Sequence, residues 1–251
     1  MITSYPCRMK TNLLAFLFSF IFLFCGFSIV FGEELEIKKE FWKNGKKRLE
    51  EHYKNGELDG LSSYFYESGI KMLEVYYKQG ERNGLEIHWY PSGKKWYERS
   101  YKFGQKDGSW TEWYFNEKVK FKGYFKNGNK DGLYSLWYQN GKQKREEHYR
   151  EGKKDGLSTS WYENGKKWYL RRYKDGKKDG LDTEWYENGK KWYELIYKDG
   201  KKDGLDTEWY ENGVTMIEKH YKNGVKDGRW TEWSKDGKKK SEKYFKDGKE
   251  Q

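Results

Sequence analysis

Residues 185–208 read WYENGKKWYELIYKDGKKDGLDTE, and this 24-residue stretch decides the fold. Two runs rich in aromatic and aliphatic residues, 181–187 and 190–198, flank Asn188-Gly189, a dipeptide typical of a β-hairpin turn. Neither run is long enough for a helix, and neither shows the 3.6-residue period of one. The stretch therefore predicts a β-hairpin, followed by a second glycine-containing turn that returns the chain for another strand.

The same hairpin recurs head to tail through residues 41–248. Glycines fall at an interval of 24 residues in one series: Gly60, Gly84, Gly108, Gly132, Gly156, Gly180, Gly204 and Gly228. Repeats 161–184 and 185–208 differ only at the pairs 170/194, 171/195 and 172/196. Fixed-period self-similarity is the signature of a repeat architecture. We expect an all-β fold, an elongated single-layer antiparallel meander of repeated 24-residue β-hairpins with about 18 strands.

The alternation of side chains predicts the geometry of the Asn-Gly turn. A three-residue loop, Glu187-Asn188-Gly189, with a left-handed glycine and a bulge, would segregate apolar from charged residues. One face would then carry Leu181, Thr183, Trp185, Tyr193, Leu195 and Tyr197, and the other Asp182, Glu184 and Glu194. A two-residue turn would mix them, since a one-residue slip exchanges the faces. We therefore expect the three-residue loop.

Two aromatic columns follow from stacking the repeats in register. Tryptophan and tyrosine surfaces are frequent centres of protein interfaces, and tryptophan beside lysine could also stack on sugars or bind anionic lipid. The alternative is that these rings only build the apolar face of a thin sheet. The candidate interaction surface consists of Trp89, Trp113, Trp137, Trp161, Trp185, Trp209, Trp233, Tyr101, Tyr149, Tyr173, Tyr197 and Tyr221.

The spacing Y-x-N-G…D-G-L-x-x-x-W-Y-x-N-G, present from Tyr53 to Gly69 and in its copies through 41–248, resembles the bacterial variant of the MORN repeat. The resemblance covers essentially all of the chain after the N-terminal segment. It implies an elongated single-layer sheet and a scaffolding or interaction role. It also links the chain to repeat proteins catalogued as antitoxins and to eukaryotic members associated with membranes and phosphoinositides.

The N-terminal segment, 1–32, predicts export. Leu13–Phe31 is an uncharged run of 19 residues preceded by Arg8 and Lys10, and Val30-Phe31-Gly32 fits a signal-peptidase site. The run also just reaches membrane-spanning length, so a retained anchor is the alternative to cleavage after Gly32. The domains are then 1–32, signal peptide or anchor, and 33–251, the repeat domain, in an exported protein.

Composition and side-chain placement indicate which functions to expect. The net charge of +11 comes from basic and acidic residues that alternate instead of forming a basic stripe, so no nucleic-acid partner is expected. Both cysteines, Cys7 and Cys25, precede the repeats. The four histidines are dispersed, and the Asp-Gly column that runs from Asp59 to Asp227 fits turn chemistry better than calcium binding. We expect no enzyme, no catalytic residue, no metal and no cofactor.

The function expected from these observations is an exported, non-enzymatic repeat scaffold that binds a protein partner at the cell envelope or surface. One alternative is a surface protein that binds glycan or anionic lipid. Another is an antitoxin or immunity protein against an extracytoplasmic toxin, and self-association is a further possibility for the long sheet. The sequence leaves these alternatives open.

One repeat departs from the pattern. In residues 109–132, Glu117 occupies a turn-glycine position and Gly123 lies within a strand. Glutamate is costly in a left-handed conformation, so Asn116 is expected to take that role with a local change of register. A bend or weak point in the sheet is predicted here.

Overall fold

A computed structural model describes residues 34–251, and residues 1–33, which include the predicted export segment 1–32, lie outside this range. The described chain is all-β and contains no helix, so no helix within 34–251 has the length and hydropathy needed to cross a membrane. Two compact bodies divide it, with described parts 34–105 and 106–251. In each body successive strands pair antiparallel, which confirms the expected meander of hairpins.

The first body contains seven strands. They are β1 Leu35–Phe41, β2 Lys47–Lys54, β3 Glu57–Leu58, β4 Gly60–Phe65, β5 Lys71–Lys78, β6 Glu81–Trp89 and β7 Lys95–Lys102.

The second body contains thirteen strands, which brings the described total to twenty instead of about 18, because short strands lie next to two of the turns. They are β8 Gln105–Trp113, β9 Val119–Lys126, β10 Asn129–Trp137, β11 Gln143–Arg150, β12 Lys153–Trp161, β13 Lys167–Lys174, β14 Lys177–Trp185, β15 Lys191–Lys198, β16 Lys201–Trp209, β17 Thr215–Lys222, β18 Val225–Trp233, β19 Lys239–Lys246 and β20 Lys249–Glu250.

Two kinds of turn alternate along the meander. The Asn-Gly turn is the expected three-residue loop: the Gly189 amide donates to the Tyr186 carbonyl at 2.9 Å, and Gly189 has a φ of +92°. The other turn is a two-residue loop in which Asp199 and Gly200 have φ values of 50° and 85°, as a type I′ turn requires. Asn, Asp and Gly tolerate these angles better than other residues, which explains their recurrence.

The predicted division of the faces is wrong, because each hairpin contains a second bulge. Trp185 pairs with Lys191 but Glu184 pairs with Tyr193, so Trp192 is an extra residue on β15. Because of this extra residue, Leu195 pairs with Asp182. Leu195 therefore lies on the opposite face from Thr183, although the two were predicted to share a face. One extra residue therefore exchanges the faces of half the hairpin.

Each hairpin accordingly has two chemically distinct faces. The tyrosine face carries Tyr193, Leu195 and Tyr197 together with Asp182 and Glu184. The tryptophan face carries Leu181, Thr183 and Trp185 together with Glu194 and Ile196. Leu195 is fully buried, whereas Leu181 and Ile196 are exposed. The apolar core therefore lies on the tyrosine face and includes charged residues, while Thr183 is also buried on the tryptophan face.

The exceptional repeat keeps the standard geometry, so the expected role of Asn116 and the expected change of register are wrong. Glu117 itself adopts a φ of 66°, and its amide donates to the Tyr114 carbonyl at 2.9 Å. Gly123 makes room for aromatic packing, since a Cβ there would meet the Phe121 ring at 2.6 Å. Because a glutamate with a positive φ is strained, a lower local stability of the sheet around Glu117 stays a prediction.

Candidate functional site

The core of the tyrosine face in the second body is held by a buried charge cluster. Asp182 is almost completely buried and accepts hydrogen bonds from Arg171 Nε at 3.1 Å and Lys178 Nζ at 2.6 Å. Arg171 also pairs with Glu184. Burial alone would lower the pKa of Lys178, but the hydrogen bond to Asp182 and its charge outweigh burial and raise that pKa. The carboxylates of Asp182 and Glu184 therefore hold Lys178 and Arg171 in their charged forms.

The next repeat holds the equivalent aspartate with fewer contacts. Asp206 is fully buried, and its Oδ2 accepts a hydrogen bond from Lys202 Nζ at 3.0 Å. Leu195 replaces the arginine, and among residues 34–251 no hydrogen-bond partner reaches Asp206 Oδ1. A buried carboxylate oxygen without a donor costs about 1–3 kcal/mol or more.

The tyrosine column is covered by lysines. Lys178 Nζ lies 4.7 Å from the centre of the Tyr197 ring, and Lys202 Nζ lies 4.8 Å from that of Tyr221. Equivalent contacts join Lys130 to Tyr149 and Lys154 to Tyr173. These cation–π contacts link each repeat to the next. The candidates Tyr149, Tyr173, Tyr197 and Tyr221 are thus half-buried parts of the framework, and so is Tyr101 in the first body, beneath Arg82.

The tryptophan column lies on the opposite face from the tyrosines, so the structure does not bring the two halves of the candidate surface together. All seven tryptophans are half-buried. Lys167 Nζ and Lys191 Nζ lie 5.9 and 5.6 Å from the ring centres of Trp185 and Trp209. The backbone carbonyls of these tryptophans accept hydrogen bonds from tyrosine hydroxyls of the preceding repeat. One example is the bond from Tyr162 Oη to Trp185 O at 2.8 Å. The column is part of the connection between repeats.

A leucine row runs along the tryptophan face of the second body. One leucine per repeat occupies the same strand position, and these side chains are 45%, 49%, 43% and 40% exposed at Leu133, Leu157, Leu181 and Leu205. Ile196, directly opposite Leu181 on β15, is also exposed. The paired positions on the strands between them hold His148, Arg172 and Ile196, so the exposed apolar surface is continuous from Leu181 through Ile196 to Leu205. Exposed apolar surfaces on soluble proteins mark interaction sites. This row was not predicted from the sequence, because the predicted register placed leucine in the core.

The histidine and aspartate columns have structural contacts. A ring nitrogen of His148 lies 3.2 Å from the Leu157 carbonyl oxygen, and His220 makes the corresponding contact with Arg229 at 2.8 Å. Asp131 accepts a hydrogen bond from the backbone amide of Glu151, which has a positive φ, in the following turn. Within residues 34–251 no group of three or more His, Cys, Asp or Glu side chains is arranged to hold a metal ion.

Comparison with known proteins identifies the repeat. The model of the MORN repeat variant family matches the chain in nine consecutive segments, which are 37–55, 58–79, 82–103, 106–127, 130–151, 154–175, 178–199, 202–223 and 226–247. Each segment spans one three-residue turn and the strands on either side of it. No protein of curated function gives a significant match.

Proposed function

Because the chain belongs to the MORN repeat variant family, with nine repeats that span most of its length, we propose that it is an exported, non-enzymatic scaffold that binds a protein partner at the cell envelope. The leucine row is the observation that carries this proposal. It presents four aliphatic side chains in line on one face while the packed core lies on the other. A protein partner with an apolar ridge would bury this row.

The design of the repeat supports a binding role over a catalytic one. Catalysis needs a unique cluster of positioned groups. Here the charged groups on the tyrosine face are ion-paired within the framework, as Arg171 and Lys178 are with Asp182. The sheet instead repeats one surface many times, which suits an extended interface.

The leucine row can be tested with substitutions that the repeat already accepts. Ser109 and Arg229 occupy the leucine position in other repeats, so Leu157→Ser and Leu181→Ser should preserve the fold. We expect the double variant, used as bait in cross-linked envelope extracts, to lose a partner that the unmodified chain captures. A Glu163→Gln variant, changed at an exposed turn residue, is the control. Equal capture by the double variant and the control would refute the role of the row.

Export is tested separately at the N-terminus. The proposal places the start of the mature protein near Glu33, after the apolar segment. N-terminal sequencing of the protein recovered from the envelope or medium should find Glu33 first. An intact Met1 or Met9 on exported protein would establish a retained anchor, and recovery only from the cytoplasm would overturn export itself.

A further inference from the structure

The second bulge of each hairpin contains one extra residue, and the fold does not determine which amino acid stands there. Trp168 is the extra residue on β13, between the pairs Trp161–Lys167 and Ser160–Tyr169, and Trp192 is its counterpart on β15. The same position in the nine repeats holds Arg48, Met72, Trp96, Lys120, Lys144, Trp168, Trp192, Met216 and Lys240. Since lysine, arginine and methionine all serve at the bulge, two consecutive tryptophans there are not required for folding.

Each of the two tryptophans forms an exposed aromatic platform with a tyrosine. Trp168 is 40% exposed with its ring centre 5.9 Å from that of Tyr162, and Trp192 is 42% exposed at 6.1 Å from Tyr186. Trp168 also packs against Tyr169, whose ring lies on the tyrosine face. We call these pairs the first platform (Tyr162, Trp168) and the second platform (Tyr186, Trp192).

The platforms are fixed before any ligand arrives. The Tyr162 and Tyr186 hydroxyls donate to the backbone carbonyls of Trp185 and Trp209, both at 2.8 Å. Burial raises the pKa of both tyrosines, so their hydroxyls keep the donated proton at neutral pH. Rings held in this way lose little conformational entropy on binding.

The spacing and surroundings of the platforms fit a carbohydrate chain. They belong to β13 and β15, with one strand between them, so they lie on the order of 10 Å apart. This is close to the length of a disaccharide in an extended polysaccharide. Flat aromatic rings match the C–H face of a pyranose, and the adjoining loop residues Glu163 and Glu187 are exposed acceptors for its hydroxyls.

The charges beside the platforms favour a neutral ligand. Lys166 Nζ donates to the Asn188 carbonyl and Lys190 Nζ to the Asn212 carbonyl, both at 2.7 Å, and Lys191 pairs with Glu194 at 2.5 Å. Three of the four lysines beside the platforms are thus held by hydrogen bonds or an ion pair, and the fourth, Lys167, lies over the Trp185 ring on the tryptophan face. A cationic ligand would meet these ammonium groups, while a polyanion would meet Glu163 and Glu187.

We propose that the two platforms bind successive disaccharides of an extended neutral polysaccharide. The proposal is independent of the leucine row, which lies on the opposite face. The Leu157→Ser, Leu181→Ser chain should therefore bind carbohydrate unchanged.

The test uses residues that other repeats already carry at the bulge. Calorimetric titrations of the full chain with cellohexaose, mannohexaose and chitohexaose, and electrophoresis through gels containing hydroxyethylcellulose or galactomannan, should reveal binding to at least one sugar. Trp168→Lys and Trp192→Lys should each weaken it by at least about tenfold, since one of two contacts is lost. The corresponding disaccharide, which reaches one platform only, should bind at least about tenfold more weakly than the hexasaccharide. Met72→Lys, a change at the same bulge position in the first body, is the matched control and should bind unchanged.

Circular dichroism of every variant checks the fold. Methionine occupies the bulge at positions 72 and 216, so any lysine variant that misfolds is replaced by Trp168→Met or Trp192→Met. Absence of binding to every sugar and gel would overturn the proposal, and so would undiminished binding by the double lysine variant. Tryptophan-dependent binding to oligothymidylate without binding to any sugar would overturn it in favour of a nucleobase.

Discussion

Repeats 161–184 and 185–208 differ at only three positions, yet their cores are held together differently. In the first, Arg171 reaches across to Asp182 and Glu184 on the neighbouring strand. In the second, Leu195 occupies the equivalent position, fully buried, and within 34–251 Asp206 keeps only its bond to Lys202. The same backbone therefore accepts either an ionic or an apolar core residue.

The comparison extends along the tyrosine face, where the equivalent residues are Glu147, Arg171, Leu195 and Lys219. Glu147 pairs with Lys154 at 2.7 Å, and Lys219 pairs with Glu208 at 2.6 Å. Each charge finds its partner on an adjacent strand. In a repeat sheet the stability of one hairpin thus depends on what its neighbours present to it, and buried ion pairs and apolar contacts can substitute for each other.

The largest expected effect is that of Leu195→Ala. Leu195 is fully buried, so we expect its truncation to lower the free energy of unfolding by about 2–5 kcal/mol. The adjacent Ile196, 46% exposed on the other face, is the matched control and should cost under about 1 kcal/mol when replaced by Ala. Urea unfolding measures both. The reverse order would show that the face assignment is wrong.

Arg171→Leu should have the next largest effect. This substitution gives the first repeat the leucine that the second has at the equivalent position, 195. It removes the ion pairs to Asp182 and Glu184, although Lys178 still reaches Asp182. We expect a loss of about 1–3 kcal/mol, because one buried carboxylate loses a donor. Arg172→Leu, at the neighbouring exposed position, is the control. Equal stability of the two variants would mean that the cluster contributes nothing.

The reciprocal change, Leu195→Arg, should be milder than Leu195→Ala. An arginine at 195 can donate to Asp206 Oδ1, which has no partner among the described residues. This charge-assisted bond is worth about 1.5–3 kcal/mol and offsets the apolar burial that is lost. We expect a net change under about 1 kcal/mol in urea unfolding. A loss as large as that of Leu195→Ala would show that the site cannot be exchanged between repeats.

A smaller effect concerns pH. Burial would raise the pKa of Glu147, but hydrogen bonds from Lys154 and Tyr149 outweigh burial and hold the pKa below its ordinary value of 4.5. The contribution of Glu147 is therefore fully present above about pH 4.5 and is lost as the pH falls through its lower folded-state pKa. Thermal unfolding between pH 6 and pH 3 should be less pH-dependent in Glu147→Gln. An unchanged pH profile would contradict this.

The fold was accessible from sequence because turn chemistry and repeat period are local. Asn188-Gly189 and Asp199-Gly200 specify turns, and the 24-residue interval specifies their order. The assignment of the faces was not accessible, because one bulge at Trp192 reverses it. No residue type marks that bulge. Its only trace in the sequence is a position that holds lysine, methionine, arginine and tryptophan alike, which fits neither a core nor a strictly polar position.

The candidate site was predictable only in part. The aromatic columns exist, but the structure uses Trp185 and Tyr197 on opposite faces as contacts between repeats. The leucine row and the two platforms follow from the bulge, so sequence reasoning that lacked the bulge could not place them.

The central claim is that the tyrosine face is packed and the leucine row on the tryptophan face is open. Single cysteines at 181, 195 and 196, introduced into a Cys7→Ser, Cys25→Ser background, test it directly through their rates of maleimide labelling in the folded protein. We expect the cysteines at 181 and 196 to react at rates close to those in the unfolded chain and the cysteine at 195 to be strongly protected. Rapid labelling at 195 together with protection at 181 would contradict the account.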